Sequence, residues 1–365
     1  MAELRYKTGV ETVLVTGAAG TVGNYVARLC EAAGYAVVAS DTNERGIRQP
    51  TRGRIEAGDL TEREVRERAL RGVDHVIHTA ALLDTSTHPK RLASVNTDLV
   101  IELFEQAAER GVKRFVHMST CMLYAPGTGS ALTEDAPTAP RGPHGLSKLG
   151  AEAFLRGRGR GDAPGPAWTI LRAAPIYGRR GRHFAASLLA VGPLLRLFTP
   201  MLPRFGGGPR HSFVHAEDVA RALMFTLADA RTHYGIYNVA DDDPLALGDR
   251  LSQTYEAYGL RQVNLGGIPE LVRVLADKTA RTPGVLRAFD ASVLALWRAV
   301  VVRHGLKQAL RPSIDREAVT LLEHELMIDT SRLRALGFRP RHPHFSAGWA
   351  DVLRWYQAEN WVPRY

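Results

Sequence analysis

The chain has 365 residues, 45% of them hydrophobic and 23% charged, and a formal net charge of +9. This length suits one large domain or two unequal ones, and the composition is ordinary for a soluble globular protein. The positive charge favours anionic ligands such as nucleotide phosphates, but the lack of a basic stripe interleaved with aromatic residues argues against nucleic-acid binding.

The first 175 residues alternate between short apolar runs and amphipathic stretches. The apolar runs predict strands at 12–16, 36–40, 54–57, 75–78 and 114–118. Helical patterns cover residues 21–33, closed by Gly34, and about 91–110, closed by Gly111. Strands alternating with helices at this spacing predict an α/β fold with a doubly wound parallel sheet of the Rossmann type.

The regular alternation ends after Gly178. Prolines, short helices and the cluster Gly206-Gly207-Gly208 replace it, and residues 262–325 are expected to be largely helical. We therefore predict a dinucleotide-binding Rossmann domain over residues 1–178. Residues 179–365 are expected to form a smaller, mostly helical substrate-binding region, intermixed with the first domain and returning part of its chain to that sheet.

A glycine-rich loop connects the first predicted strand to the first predicted helix, with Gly17, Gly20 and Gly23 in the spacing GxxGxxG. Gly17 permits a tight turn, Gly20 lets the backbone approach a pyrophosphate, and Gly23 lets the helix pack against the strand. The first helical residues, Thr21 and Val22, then offer backbone N–H groups to the phosphates. Because the strand before and the helix after are the context that this motif requires, we predict dinucleotide binding.

Asp41 ends the second predicted strand, 18 residues after Gly23. A carboxylate at this position accepts hydrogen bonds from the adenosine ribose and repels a 2′-phosphate, which favours NAD over NADP. The nearby Arg45 would favour NADP, because its charge attracts a 2′-phosphate. The alternative interpretation of Asp41 is an aspartate that only forms a turn at the end of the strand. NAD is the predicted cofactor, with NADP less favoured.

Further motifs follow the loop: Asp59-Leu60, Thr79-Ala80-Ala81, Val95-Asn96-Thr97, Ser119-Thr120, His144-Gly145-Leu146-Ser147-Lys148 with Glu152, and residues 171–178, 212–220, 237–239 and 329–338. Together they resemble the extended short-chain dehydrogenase/reductase family, which includes NAD-dependent epimerases and dehydratases and 3β-hydroxysteroid-dehydrogenase-like members. The resemblance covers nearly the whole chain. It implies that the cofactor-contacting positions beyond the loop and Asp41 are Asp59, Leu60, Thr79, Ala80, Ala81, Asn96, Lys148, Pro175 and Ile176.

His144 departs from the family pattern, which has a tyrosine four residues before the lysine. Positions 144 and 148 share one helix face and reach one site. The resemblance implies that Lys148 holds the nicotinamide ribose, that Thr120 hydrogen-bonds the substrate oxygen, and that the residue at 144 moves the proton. Imidazole titrates near ~6.5 and phenol near ~10, and nearby cations favour neutral imidazole. A histidine here therefore suits accepting a proton from an alcohol better than donating one.

Three interpretations of this site stay open. His144 is the general base, or Tyr124 or Tyr177 takes that part, or the site has lost redox turnover. In the last case the chain is a nucleotide-binding sensor or scaffold, or it catalyses a non-redox elimination or cyclisation. Retention of Thr120 and Lys148 favours an NAD-dependent oxidoreductase, epimerase or dehydratase with an atypical site. Its substrate is expected to be a small hydroxylated or carbonyl compound, as for a biosynthetic tailoring enzyme.

The substrate class is open between a sugar nucleotide and a steroid-like molecule. Family members that bind sugar nucleotides tend to carry an arginine in the segment before the position of Phe213, where it holds the diphosphate. In this chain His211 lies two residues before Phe213 and Arg210 one residue earlier, which weakens the sugar-nucleotide interpretation. The basic region 285–311 is interpreted as the wall of a lipophilic pocket, as a contact with an acidic membrane surface, or, preferably, as a buried helical lid. The resemblance also implies a homodimer built through the helices near 91–110 and 144–158.

No metal is predicted, because third and fourth ligands at suitable spacing are lacking for each histidine pair: His75/His78, His211/His215 and His342/His344. Cys30 and Cys121 form no disulfide framework and are expected to be thiols in a reducing compartment. The polar N-terminus is unlike a signal peptide, and no apolar run reaches the ~20 residues of a spanning helix. We therefore expect a cytoplasmic protein.

Overall fold

The computed structural model describes residues 9–83, 87–127, 129–159, 165–182, 184–267, 278, 282–307, 310–312 and 324–365. Its strands are β1 (Thr12–Thr16), β2 (Ala36–Asp41), β3 (Gly53–Ala57), β4 (His75–His78), β5 (Arg114–Thr120), β6 (Ala167–Ala173), β7 (Ile176–Tyr177), β8 (Leu202–Gly206), β9 (Arg210–His211), β10 (Val214–His215), β11 (Gly235–Val239), β12 (Leu245–Ala246) and β13 (Gln262–Gly267). Its α-helices are α1 (Thr21–Ala32), α2 (Arg63–Ala69), α3 (Pro89–Ala93), α4 (Leu99–Glu109), α5 (Pro143–Gly157), α6 (Leu188–Leu195), α7 (Ala216–Ala228), α8 (Leu247–Ala257), α9 (Pro283–His304), α10 (Ser331–Ala335) and α11 (Phe345–Ala358).

Seven parallel strands form the central sheet, in the order β11-β6-β5-β4-β1-β2-β3. The strand order changes direction between β1 and β4, and such a switch point opens a crevice at the carboxyl ends of the strands. The predicted doubly wound parallel sheet is confirmed.

Helices cover both faces of this sheet, as the alternation of side chains along β1 requires. Val13 and Val15 belong to the core that contains residues of α1 and α7. Leu14 points to the opposite face, into a core with residues of α2, α4 and α5. All three side chains are fully buried, so β1 is a central strand with no face left to solvent.

The second half of the chain is interleaved with the first. Strand β11 joins the central sheet beside β6, while a separate core gathers residues of α6, α8, α9 and α11. The helical prediction for 262–325 is wrong at Gln262–Gly267, which pairs in parallel with β8 because tertiary pairing overrides the local pattern. It is right at Pro283–His304, and residues 268–277, 279–281, 308–309 and 313–323 lie outside the described part.

Helix α9 is buried on one side. Leu286, Trp297 and Val300 pack into the protein, whereas Phe289 is 46% exposed and Val302 is 80% exposed. Among the helices that the structure describes, none combines the length and apolarity needed to cross a bilayer.

Asp218 ties the C-terminal segment to the start of α7. Its carboxylate accepts hydrogen bonds from the backbone N–H of Arg341 at 2.5 Å, the backbone N–H of His342 at 2.8 Å and the His342 ring at 3.1 Å. Burial by itself raises the pKa of Asp218, but these hydrogen bonds outweigh it and hold the pKa below the usual range. The ionised form of Asp218 therefore stabilises the folded state.

We expect Asp218→Asn to lower the free energy of unfolding by about 1–3 kcal/mol at neutral pH, because it weakens buried hydrogen bonds to a charged acceptor. A depressed folded pKa gives stability that is present above the unfolded pKa and lost as the pH falls through the folded pKa. The gap between wild type and variant should therefore shrink on acidification in urea unfolding. Asp135→Asn, at an exposed carboxylate, is the control. A gap independent of pH would contradict this assignment.

Candidate active site

A cavity of about 480 Å³ opens at the carboxyl ends of the central strands, a size typical of small-molecule sites. It brings together residues that are distant in sequence. Every predicted site residue except Asn96 lines it: Gly17, Gly20, Thr21, Val22, Gly23, Asp41, Asp59, Leu60, Thr79, Ala80, Ala81, Thr120, His144, Lys148, Pro175 and Ile176.

The glycine loop is as tight as its sequence predicts. A Cβ atom on Gly23 would lie 2.1 Å from the Gly17 carbonyl oxygen, and Gly17 itself has a φ of +69°. Gly20 precedes α1, whose N-terminus has no side-chain cap and no acidic residue in its first turn. An uncapped helix N-terminus facing a cavity leaves its N–H groups available to an anion.

Two carboxylates line the same end of the cavity. Asp41 accepts hydrogen bonds at 3.0 Å from the backbone N–H groups of Ala19 and Asn43, so it is oriented by the glycine loop. The Asp59 carboxylate accepts a hydrogen bond from the Arg91 guanidinium at 2.8 Å. Arg91 also lines the cavity, although no sequence motif singled it out.

Asn96 lies behind the cavity wall, in a turn of π-helix (Ser94–Asp98) between α3 and α4. Its side-chain amide exchanges two hydrogen bonds with the backbone of Leu82 and donates a third to the Ser147 hydroxyl at 3.0 Å. Ser147 in turn donates to the carbonyl of His144 at 2.8 Å. Asn96 thus joins the Leu82 segment, which lines the cavity, to the helix that carries His144.

Lys148 is almost completely buried and donates a hydrogen bond from Nζ to the Met118 carbonyl at 2.9 Å. Burial lowers its pKa to about 8, against the opposing charge of Glu152. His78 and His117 stack on the neighbouring strands with ring centroids 5.6 Å apart. Burial, and next the charge of Lys148, lowers the pKa of both imidazoles well below the ordinary value, so both are neutral at neutral pH.

Thr120 ends β5, and its hydroxyl accepts a hydrogen bond from the backbone N–H of Met122 at 3.1 Å. A hydroxyl that accepts in this way keeps its own proton to donate. His144 and Lys148 lie one turn apart on α5 and line the same cavity as Thr120. The three positions of the family's catalytic pattern therefore share one site.

The two tyrosines considered as substitutes for His144 do not line the cavity. The Tyr124 hydroxyl donates to the Asn238 side chain at 2.7 Å and accepts from Arg172 at 3.0 Å. Tyr177 is buried in the C-terminal core against Phe345. Burial raises the pKa of both phenols, which disfavours proton transfer by either.

His215 and His342, which belong to two different histidine pairs of the sequence, lie next to each other in the structure. The rings of His215 and His342 lie 4.0 Å apart, and with Glu217 they place three potential ligand atoms within 4.8 Å of one another. The His215 Nδ1 atom accepts the backbone N–H of Glu217 at 3.2 Å, so this lone pair is already engaged at the start of α7. The absence of a metal stays a prediction.

The segment before β10 does not supply a cation to the cavity. The His211 ring contacts the carbonyl of His324 at 3.1 Å, and Arg210 pairs with Glu325. Neither residue lines the cavity.

The model of the NAD dependent epimerase/dehydratase family matches residues 13–240. The UDP-glucose 4-epimerase of Streptomyces lividans is 31% identical over 300 residues, covering 75% of this chain and 87% of the epimerase. The dTDP-glucose 4,6-dehydratase of Streptomyces griseus is 28% identical over 267 residues, covering 68% of this chain and 78% of the dehydratase. The solved structure of MoeE5 in complex with UDP-glucuronic acid and NAD has a TM-score of 0.68 at 23% identity, covering 95% of this chain and 99% of MoeE5.

The structural likeness to MoeE5 shows the fold, and the sequence matches show the family. The match to the family model runs from β1 to the end of β11, across the whole central sheet. The chain belongs to the NAD dependent epimerase/dehydratase family of extended short-chain dehydrogenases/reductases, which confirms the resemblance, the enzyme class and the cofactor NAD predicted from its sequence.

Proposed function

We propose that this enzyme oxidises a hydroxyl-bearing carbon of a nucleotide sugar as the first step of an epimerisation or dehydration, with His144 handling the proton. The observation that carries this proposal is the presence of Thr120, His144 and Lys148 in the cavity that also holds the glycine loop. The relatives named UDP-glucose 4-epimerase and dTDP-glucose 4,6-dehydratase support the nucleotide-sugar class.

The residues of the cavity fit NAD. The uncapped N-terminus of α1 suits a diphosphate, and Asp41 presents a fixed carboxylate suited to ribose hydroxyls. One N–H of the Lys148 ammonium donates to the Met118 carbonyl, and the other two can donate to further acceptors, such as ribose hydroxyls. When bound, the nicotinamide supplies a hydride acceptor.

The chain's own residues then account for the movement of the proton. The Thr120 hydroxyl donates a hydrogen bond to the substrate oxygen and orients it. His144 accepts the hydroxyl proton as the carbon is oxidised. In an epimerisation the resulting imidazolium returns this proton when the carbonyl is reduced. In a dehydration the carbonyl remains, and the proton on His144 balances the one that the neighbouring carbon takes up when the alkene left by the loss of water is reduced. An epimerisation or dehydration has no net redox change, so a proton held on His144 is available again within the same turnover.

The test incubates the purified protein with NAD and, separately, with UDP-glucose, UDP-glucuronic acid and dTDP-glucose. We expect calorimetry to show NAD binding and NMR to show conversion of at least one sugar. Absorbance spectroscopy during this conversion should show reduced nicotinamide as a transient species. Binding of NAD without conversion of any sugar and without that transient would contradict the proposal. The chain would then be a nucleotide-binding protein without redox turnover.

A homodimer and a cytoplasmic location complete this proposal. Leu146 on α5 is 58% exposed, which leaves an apolar side chain on a helix that the resemblance places at the dimer interface. Size-exclusion chromatography with light scattering tests the dimer.

A further inference from the structure

The segment 179–182 connects the C-terminal core to the nucleotide-binding end of the cavity. It follows β7, and Arg180 donates a hydrogen bond to the Gly46 carbonyl at 3.2 Å, beyond the end of β2. A Cβ atom on Gly178 would lie 3.3 Å from the Thr21 side chain, at the first residue of α1. Gly181 and Arg182 line the cavity together with the glycine loop. The segment therefore passes close to the N-terminus of α1.

This segment is held in place from the other side by α11. Tyr356 donates its hydroxyl to the carbonyls of Gly181 and Gly178, and Asp351 pairs with Arg179 at 2.7 Å. Arg180 has a φ of +68°, a left-handed conformation that costs energy for a residue other than glycine. The contacts of α11 and Gly46 hold this strained turn, which gives Arg182 a defined place at the cavity.

Three cationic side chains line the cavity, as far as the structure describes the chain. Lys148 is buried on the Met118 carbonyl, and Arg91 is paired with Asp59. Arg182 has its guanidinium carbon 5.4 Å from the centroid of the Trp361 ring. None of the described carboxylates pairs with Arg182, so its charge is available to a ligand.

A cation at this place would strengthen the binding of a diphosphate. Arginine suits this task because its planar guanidinium binds two phosphate oxygens at once. The segment in which related enzymes tend to supply that arginine provides none here, because His211 and Arg210 are engaged elsewhere.

We propose that Arg182 binds a diphosphate group in the cavity, a role that moves in this chain from the segment before β10 to the turn after β7. The ligand chemistry rests on the proposed function, since both NAD and a nucleotide sugar carry a diphosphate. The two arms of the test decide whether Arg182 binds the diphosphate of NAD or that of the nucleotide sugar.

The test compares Arg182→Gln with Arg298→Gln, a control that removes the same charge from an exposed position on α9. The first arm measures by calorimetry the affinity of the ligand-free protein for ADP, adenosine and inorganic pyrophosphate. The second arm measures the affinity of the NAD-saturated protein for UDP and uridine. We expect Arg182→Gln to weaken the diphosphate ligand by about tenfold to a hundredfold in one arm, while nucleoside binding is unchanged. Arg182→Lys should keep part of the affinity, because it retains the charge without the fork.

Weakening of ADP and pyrophosphate assigns Arg182 to the cofactor's diphosphate, and weakening of UDP alone assigns it to the substrate's. Wild-type affinity of Arg182→Gln for both ADP and UDP, with an unchanged thermal melt, would overturn the inference. So would an equal loss in Arg298→Gln, which would make the effect one of net charge. ADP, pyrophosphate and UDP are bound by the protein and are not converted. If the wild type fails to convert any sugar, the proposed function is contradicted, but the measured effect of Arg182→Gln on diphosphate affinity remains valid.

Discussion

Replacing His144 with alanine is expected to lower kcat by roughly two to four orders of magnitude for the nucleotide sugar that the wild type converts, the usual worth of a positioned acid–base group. His144 lines the cavity beside Thr120 and Lys148, and no tyrosine is among the described residues that line it. The affinity for NAD should stay close to that of the wild type, because Lys148 and the glycine loop are untouched. Steady-state kinetics and calorimetry on the same preparation separate the two effects.

The pH dependence distinguishes a proton-transfer group from a packing residue. His144→Tyr restores the family's side chain, and phenol titrates near ~10 against ~6.5 for imidazole. If the group at 144 accepts the substrate proton, the rising limb of kcat/KM must move to higher pH in this variant. A variant that is active with an unshifted profile would remove position 144 from the proton transfer.

Tyr124→Phe is the matched control for the competing assignment. The Tyr124 hydroxyl contacts Asn238 and Arg172 outside the cavity, so its removal should cost stability while changing kcat only a few-fold. A loss as large as that of His144→Ala would return the catalytic assignment to Tyr124.

The part of the candidate site around the glycine loop was predictable because its signals are local. Gly17, Gly20 and Gly23 serve a strand–turn–helix unit whose geometry is set within seven residues. Asp41 ends the strand next to β1, so its position follows from the parallel order of the sheet. The alternation of strands and helices predicted where β1 to β5 lie in the chain, but not their order in the sheet.

Long-range contacts were out of reach of the same reasoning. Arg182 reaches the cavity through a turn that Tyr356 and Asp351 hold from the far end of the chain. Asn96 matches a family position in sequence, but its contacts with Leu82 and Ser147 depend on a π-helical turn that local pattern does not encode. Pairings of this kind are decided by tertiary packing, and periodicity in the sequence carries no record of them.

A buried ion pair contacts β5, the strand that carries Ser119 and Thr120. Glu152 on α5 and Arg172 on β6 are almost inaccessible to solvent, and their closest atoms lie 2.6 Å apart. Glu152 also accepts the Ser119 hydroxyl at 2.6 Å, and Arg172 donates to the Tyr124 hydroxyl and to the Glu134 carbonyl at 3.0 Å. Burial by itself lowers the pKa of Arg172, but Glu152 outweighs it and holds the pKa above the usual range. The Arg172 guanidinium therefore stays charged in the folded protein.

Arg172→Met is expected to lower the free energy of unfolding by about 3–5 kcal/mol, because it leaves the Glu152 carboxylate buried without its partner. Adding Glu152→Leu to this variant should restore a large part of the loss, since the pair is then replaced by apolar groups and no charge is left uncompensated. Urea unfolding of both single variants and the double variant measures the coupling. The exposed pair Arg158–Glu105 is the control, and Glu105→Gln should cost at most about 1 kcal/mol. Additive losses in the double variant would show that the two charges do not depend on each other.

Because Glu152 holds Ser119, the neighbour of Thr120, kcat should fall in Glu152→Leu even where the protein remains folded.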